Sequence, residues 1–267
     1  MPNRLLLRLL LPMLVFAPAV AFPADPVIAL IIDDLGYRYD EGVRVTRLPG
    51  PVVCAVLPGT PRGEALAELA NANGKEVLLH MPMQSMDSAL SQEAGVMSID
   101  DSRPRFTHRL ERGLGSVPHA IGINGHRGSL LTRHPGHMRW LMDELDDRKL
   151  VFVDSYTTHH SVALQLADEV GVPATRRNVF LDNDASPERI QAEFERLVRL
   201  AHREGSAVAI GHPYPATLEF LEQTLPKLDD YRVNLVGIRE LIEYQVSRPA
   251  AALPAASEAE AHRESIR

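Results

Sequence analysis

The sequence predicts an α/β fold built from repeated strand–helix units. Short apolar runs rich in β-branched residues, typical of strands, lie at 27–33, 52–57, 76–80, 120–124, 150–154, 179–181, 207–211 and 233–238. Amphipathic segments typical of helices lie between them, at 62–73, 135–148, 161–170, 187–203 and 215–225. Most of the runs are nearly continuous in apolar residues, as expected for strands covered on both faces. This alternation predicts a parallel sheet or a parallel barrel.

Local signals support several of the helix ends. Ser186 precedes Pro187, and serine followed by proline is a common start for a helix. Gly74, Gly171 and Gly205 follow three of the amphipathic segments, where glycine commonly ends a helix. Polar residues at the carboxyl ends of the strands are where such folds usually carry their chemistry.

Composition narrows the possible functions. The chain has 267 residues, of which 28 are Lys or Arg and 35 are Asp or Glu, so its formal charge is −7. This charge excludes a basic nucleic-acid-binding protein, and 45% apolar residues argue against general disorder. Cys54 is the single cysteine, so any metal site must use His, Asp or Glu. No phosphate-binding glycine motif and no Gly-x-Ser-x-Gly motif occurs, which argues against nucleotide binding and serine hydrolysis.

Both ends of the chain differ from its centre. Residues 1–21 combine Arg4 and Arg8 with a short apolar stretch and end in Ala19-Val20-Ala21, which predicts a cleaved signal peptide and an exported protein, periplasmic or secreted. An uncleaved membrane anchor is the alternative. Residues 249–267 are rich in Ala, Glu and Ser and predict a disordered tail. The segment between them, 22–248, is the predicted domain.

Acidic and imidazole side chains follow several strands. Asp33 and Asp34 end the first run, His80 ends the third, and His126 follows the fourth. Adjacent carboxylates at a buried strand end need a cation, a proton or helix amides nearby, so the pair indicates either a metal site or a helix cap. One carboxylate and two imidazoles form a three-ligand set that leaves a metal position open for water.

Two later strand ends add candidates. His212 follows the run 207–211 and is either a general acid or base or a residue that closes a turn. Asp154 ends the run 150–154 and is either a carboxylate that orients an imidazole or a strand-end cap.

Six ordered blocks resemble the divergent polysaccharide deacetylases: 31–36, 78–83, 124–129, 152–155, 180–183 and 210–213. The resemblance spans roughly 27–244 and implies a distorted (β/α) barrel of the glycoside hydrolase/deacetylase type. By position it implies that Asp33 is the general base and His212 the general acid. It also implies that Asp34, His80 and His126 bind a divalent metal, with zinc as the first candidate.

The expected function is therefore metal-dependent removal of acetyl groups from an envelope glycan, such as peptidoglycan or another N-acetylated polysaccharide. Asn124, Asp154 and Arg127 are expected to support the site or to contact substrate. The alternative is a catalytically silent envelope protein that binds glycan or protein. It is motivated by Gln84, Gly125 and Arg127, which differ from the residues usual in the family.

Overall fold

The computed structural model describes residues 25–91 and 95–248, and within them nine strands form one sheet. The predicted leader at 1–21 and the predicted tail at 249–267 lie outside the described residues. The strands are β1 Val27–Leu35, β2 Val53–Val56, β3 Val77–Met83, β4 Ala120–Arg127, β5 Val151–Asp154, β6 Ala174–Arg176, β7 Val179–Phe180, β8 Ser206–Gly211 and β9 Asn234–Leu235.

Nine α-helices accompany the strands in the same described residues. They are α1 Tyr39–Arg47, α2 Gly63–Ala72, α3 Arg103–Ser116, α4 Pro135–Arg148, α5 Ala163–Val170, α6 Pro187–Glu204, α7 Pro215–Thr224, α8 Leu228–Tyr231 and α9 Ile238–Ser247. Helix α6 begins at Pro187 as predicted, and Gly171 and Gly205 adopt the left-handed conformation that ends α5 and α6. None of the described helices is both long enough and apolar enough to cross a membrane.

The sheet curves into an open barrel. Its strand order is β6-β5-β4-β3-β2-β1-β8-β7, every pair is parallel, and β9 joins the lower end of β1. No pairing joins β6 to β7 in the described chain, and the two residues between them, Arg177 and Asn178, cross the gap. These two residues form backbone hydrogen bonds on both sides of the gap. Arg177 N donates to Asp154 O of β5, and Asn178 N donates to Val208 O of β8. The predicted distorted (β/α) barrel is confirmed.

Alternate residues of each strand face opposite layers of the core. In β1, Ile28, Leu30 and Ile32 pack in the large cluster beneath the surrounding helices, whereas Val27, Ala29 and Ile31 belong to the cluster inside the barrel. Helix α9 closes the lower end of that inner cluster with a set of buried side chains: Ile238, Leu241, Ile242 and Tyr244. Burial on both faces explains why the strands are apolar without alternation.

Some elements differ from the sequence prediction. The apolar run at 233–238 pairs only at Asn234–Leu235, and Ile238 already begins α9. Helices α1 and α3 were not predicted because both are strongly polar and bury only a narrow stripe, which is Phe106, Leu110 and Gly113 in α3.

Candidate active site and metal centre

Strand alternation brings five predicted residues to one place. Residues two apart on a strand face the same side, so Asp33 continues the inward face of Ile31 at the carboxyl end of β1. The same rule directs His80 of β3, Asn124 and His126 of β4, and His212 after β8 to the inside of the barrel mouth. Asp33, His80 and Asn124 are buried there.

Asp34 reaches the same site by a local break in the strand. Alternation alone would turn it outward, but Asp34 adopts a left-handed backbone conformation with φ of 59°. The register between β1 and β2 is irregular between Ile32 and Leu35, as at a β-bulge. A left-handed non-glycine residue costs roughly 1–2 kcal/mol. This backbone conformation places the adjacent carboxylates of Asp33 and Asp34 on one side of the chain.

Three donor atoms form a nearly equilateral triangle at the barrel mouth. Asp34 Oδ1 lies 3.2 Å from His80 Nε2 and 3.0 Å from His126 Nδ1, and the two ring nitrogens are 3.1 Å apart. Atoms that share one ion at bond lengths of about 2.0–2.1 Å lie roughly 3–3.4 Å apart. Asp34 Oδ1 is also buried without a hydrogen bond of acceptable geometry in the described chain. These residues fit a divalent metal ion.

Asn124 orients both the ligand ring and the neighbouring carboxylate. His80 Nδ1 donates to Asn124 Oδ1 at 2.9 Å, and Asn124 Nδ2 donates to Asp33 Oδ1 at 2.7 Å. With the proton on Nδ1, the lone pair of His80 Nε2 points toward the donor triangle. Reversing the Asn124 amide would set its oxygen against the Asp33 carboxylate, so the two contacts reinforce each other.

The two adjacent aspartates differ electrostatically. Burial raises the pKa of Asp33, and the nearby His80 and His212 only partly oppose that rise. Burial also acts to raise the pKa of Asp34, but its contacts with His126 and His80 outweigh burial and hold that pKa well below its usual range. Burial acts to lower the pKa of His80, yet Asp33 and Asp34 together raise it to about 9. Such divergent environments are typical of paired carboxylates with different catalytic roles.

His212 is held by a buried carboxylate, Asp182. His212 Nδ1 donates to Asp182 Oδ1 at 2.8 Å, while Asp182 Oδ2 accepts from His212 N at 2.6 Å and from Thr217 Oγ1 at 2.8 Å. The ring therefore keeps a fixed orientation, with Nε2 4.0 Å from Asp34 Oδ2. Burial acts to lower the pKa of His212, but the hydrogen bond and charge of Asp182 raise it above its usual value.

Asp182 and Arg177 were given no role from the sequence. Asp182 follows the strand run 179–181, so the strand-end rule that singled out the other residues applied to it as well. Arg177 carried no such signal. It lies at the open edge of the barrel, with its guanidinium 3.6 Å from the centre of the Phe180 ring. Burial lowers the pKa of Arg177 to about 10, against the attraction of Asp154 and Asp33.

Asp154 and Arg127 lie at the margin of the site. Asp154 follows the side-chain alternation of β5 and lies on its outer face, as Phe152 does. Its carboxylate oxygens accept hydrogen bonds from Tyr156 N and Ser161 Oγ and not from an imidazole. It shapes the loop after β5 and does not orient the ligand rings. Arg127 follows His126 with φ of 62°, and its backbone oxygen accepts from Thr157 Oγ1.

The unusual residues near the site have local structural explanations. Gln84 Oε1 accepts from Ser98 Oγ and Ile99 N, so it holds the loop that follows β3. A Cβ at Gly125 would meet Met83 Sδ at 3.1 Å, a contact tighter than normal. These differences therefore leave the donor triangle intact.

Comparison with known proteins identifies the family. The family model described as divergent polysaccharide deacetylase matches residues 30–242. This chain belongs to the divergent polysaccharide deacetylases. The uncharacterized protein YibQ of Escherichia coli (strain K12) is 36% identical over 219 residues, covering 80% of this chain and 68% of YibQ. The family match contains Asp33, Asp34, His80, His126 and His212.

Solved structures support the fold of this family member. An uncharacterized protein of Agrobacterium tumefaciens C58 matches with a TM-score of 0.79 and 18% identity, covering 83% of this chain and 91% of that one. The catalytic domain of a peptidoglycan N-acetylglucosamine deacetylase from Eubacterium rectale ATCC 33656 matches with a TM-score of 0.56 and 17% identity. That match covers 88% of this chain and 96% of the other. At these identities the likeness concerns the fold alone.

Proposed function

We propose that this divergent polysaccharide deacetylase is a metal-dependent hydrolase that removes acetyl groups from the amino sugars of an envelope glycan. One observation carries the proposal: a triangle of metal-ligand atoms from Asp34, His80 and His126, 3.0–3.2 Å apart. A buried carboxylate, Asp33, and an oriented imidazole, His212, lie beside it. This is the arrangement that metal-assisted amide hydrolysis requires.

Asp34, His80 and His126 would hold the ion, which when bound supplies charge that polarises a carbonyl and acidifies water. Asp33 has the position and the raised pKa of a general base, and it takes a proton from the attacking water. Asn124 holds one Asp33 oxygen, so the other is left to accept that proton.

His212 protonates the leaving nitrogen. Asp182 binds Nδ1 of its ring, so Nε2 is the nitrogen that faces the site and gives up the proton. The C–O bond to water forms, the C–N bond breaks, and the products are acetate and a free amine. His212 and Asp33 thus carry out opposite proton transfers beside the donor triangle.

The experiment separates metal binding from catalysis. Protein purified without chelator is assayed for acetate release from N-acetylglucosamine oligomers and from peptidoglycan glycan strands, and its metal content is measured by mass spectrometry. We expect Asp34→Ala to lose both the metal and the activity, and Asp33→Asn to keep the metal while losing activity. Arg199→Gln, at an exposed position on α6, is the matched control and should change neither.

A silent binding protein would give the opposite pattern. Glycan binding that survives chelation and the variants His80→Ala and His126→Ala, with no acetate release from any substrate, would refute the hydrolase. Hydrolysis of a non-carbohydrate amide or ester in the envelope would use the same residues, and it would appear as activity on such substrates alone.

The proposed place of action is the periplasm. Its support is the signal peptide predicted at 1–21, which ends in Ala19-Val20-Ala21. Cleavage after Ala21 gives a mature chain that begins at Phe22, and mass spectrometry of the periplasmic protein would show that terminus. A protein that keeps residues 1–21 and stays with the membrane fraction would contradict cleavage.

A further inference from the structure

A cleft of about 750 Å³ opens directly beside the donor triangle. Asp34 and His126 line it, and residues of helix α3 form part of its wall. Its volume falls within the range of roughly 300–1,000 Å³ that is typical of ligand sites. Substrate that places an acetyl group at Asp34 and His126 would therefore share this cleft with the side chains of α3.

The wall that α3 presents is strongly basic. The α3 side chains lining the cleft recur every three or four residues, which places them on one helix face: Arg105, His108, Arg109, Arg112 and Ser116. The apolar side chains of Phe106 and Leu110 are buried on a neighbouring face of α3. The polar sequence that hid α3 from prediction is thus concentrated on the side that faces the candidate active site.

In the described parts of the chain, little negative charge offsets these arginines. Asp101 is buried and lies 3.0 Å from Arg109 Nε and 3.8 Å from Arg105 Nε. Arg112 makes no ion pair or hydrogen bond with the described residues. Three arginines against one carboxylate leave the helix face with a net charge of +2, on a chain whose formal charge is −7. Asp34 is the one acidic side chain among the described residues that line the cleft.

The placement of the helix is fixed by close packing. A Cβ at Gly113 would lie 3.0 Å from Met81 Sδ and 3.1 Å from Leu79 Cδ2, so the backbone of α3 lies close against β3. Strand β3 also carries His80. Like charges three or four residues apart destabilise a helix. The repeated arginines on this face therefore favour a role in binding an anion over a role in stability.

We infer that the cleft selects an N-acetylated glycan that carries carboxylates, and that Arg105, Arg109 and Arg112 bind a carboxylate on a sugar near the scissile acetamide. This inference rests on the proposed deacetylase function. Guanidinium groups match carboxylate geometry with paired hydrogen bonds, and they are weakly hydrated, so they suit binding in a cleft. A neutral chain of N-acetylglucosamine would offer these arginines no carboxylate to bind.

Three substrates of matched backbone test this selectivity. They are N-acetylglucosamine oligomers, peptide-free peptidoglycan strands with free carboxylates, and the same strands with those carboxylates converted to methyl amides. The protein variant is the double substitution Arg105→Gln and Arg112→Gln, because both side chains are exposed and their loss leaves in place the ion pair between Arg109 and the buried Asp101. The matched control is Arg103→Gln, on the same helix, whose side chain pairs with Asp143 outside the cleft.

We expect the wild-type protein to favour the carboxylated strands by roughly 10- to 100-fold in kcat/KM, as expected for one or two charge-assisted contacts. The double variant should lose this preference through a higher KM with little change in kcat, because the contact is made equally in the ground and transition states. High salt should also weaken the preference. Arg103→Gln should keep it.

The other possible results distinguish failure of the carboxylate inference from failure of the proposed deacetylase function. Equal kcat/KM on all three substrates, or a preference that the double variant keeps, overturns the carboxylate inference and leaves the deacetylase function standing. Acetate release from none of them overturns the proposed function. Calorimetric binding of the carboxylated and amidated strands to the wild type and the double variant then still decides the inference, because equal affinities refute it.

Discussion

The Asp182–His212 pair offers the sharpest test of the proposed chemistry. Within the described residues, Asp182 Oδ2 accepts two donors, His212 N and Thr217 Oγ1, whereas Oδ1 accepts only His212 Nδ1. In Asp182→Asn the amide oxygen should therefore take the Oδ2 position, where it keeps both of those bonds. The amide nitrogen then faces His212 Nδ1, and two donors oppose each other.

The size of the effect follows from these contacts. One charge-assisted hydrogen bond is lost inside the protein, so the free energy of unfolding should fall by roughly 1.5–3 kcal/mol. The protonated ring no longer has an acceptor for its Nδ1 proton, so the pKa of His212 falls from its raised value. Since a general acid contributes about 10²- to 10⁴-fold, kcat should drop by up to that factor. His212 must be protonated to act, so the alkaline limb of the pH–rate profile should move to lower pH.

The assay compares acetate release across pH for the wild type, Asp182→Asn and Thr217→Val. Thr217→Val removes another donor to the same carboxylate without touching the imidazole, and it controls for general loss of stability. We expect it to lower the melting temperature but to keep most of kcat and the position of the alkaline limb. If Asp182→Asn is folded and metal-loaded, and its kcat and pH profile match those of the wild type, then His212 is not the acid.

The remaining predictions concern stability and reactivity. Glu76 accepts from the backbone N–H groups of Ile238 and Arg239 at the start of α9, so Glu76→Ala should lower the free energy of unfolding by about 1–2 kcal/mol in urea titration, and Glu76→Gln by clearly less. An Ala variant as stable as the wild type would show that this cap is not needed. Burial raises the pKa of Cys54 to about 12, so iodoacetamide should modify it only in unfolded protein; rapid labelling of the native protein at pH 8 would contradict this. Chelation should lower the melting temperature of the wild type. A free metal ion at 100 times its dissociation constant adds roughly 2.7 kcal/mol to the free energy of unfolding, and chelation removes this contribution. The melting temperature of Asp34→Ala should not change on chelation.

Strand alternation explains how much of the site was visible in the sequence. Asp33, His80, His126 and His212 each stand at or just after the end of an apolar run, and the carboxyl ends of parallel strands lie at the same rim. Their convergence could therefore be predicted without coordinates. Asp154 follows the same rule but has the outward alternation of its strand, and its contacts are with the loop after β5.

Other parts of the site depend on contacts between distant segments. Asn124 and His80 are 44 residues apart, and Asp182 and His212 are 30 residues apart, so no local pattern pairs them. Helix α3 lacked the broad apolar stripe that predicts a helix, since Gly113 rather than a large side chain forms part of its packing surface. The sequence pattern therefore did not predict that the basic face of α3 lines the cleft beside the site.

The sequence by itself indicated a parallel α/β fold and the acidic and imidazole residues at its strand ends, and it predicts an export signal, because these features are encoded in local periodicity and composition. Periodicity left a sheet or a barrel open, and the resemblance of six sequence blocks to a known family implied the barrel. The tertiary structure decided which of these residues meet. The left-handed turn at Asp34 brings a second carboxylate inward against the alternation of its strand, and sheet curvature sets the 3.0–3.2 Å spacing of the donor triangle. Those distances depend on strand order, register and helix packing, which are properties of the folded chain as a whole.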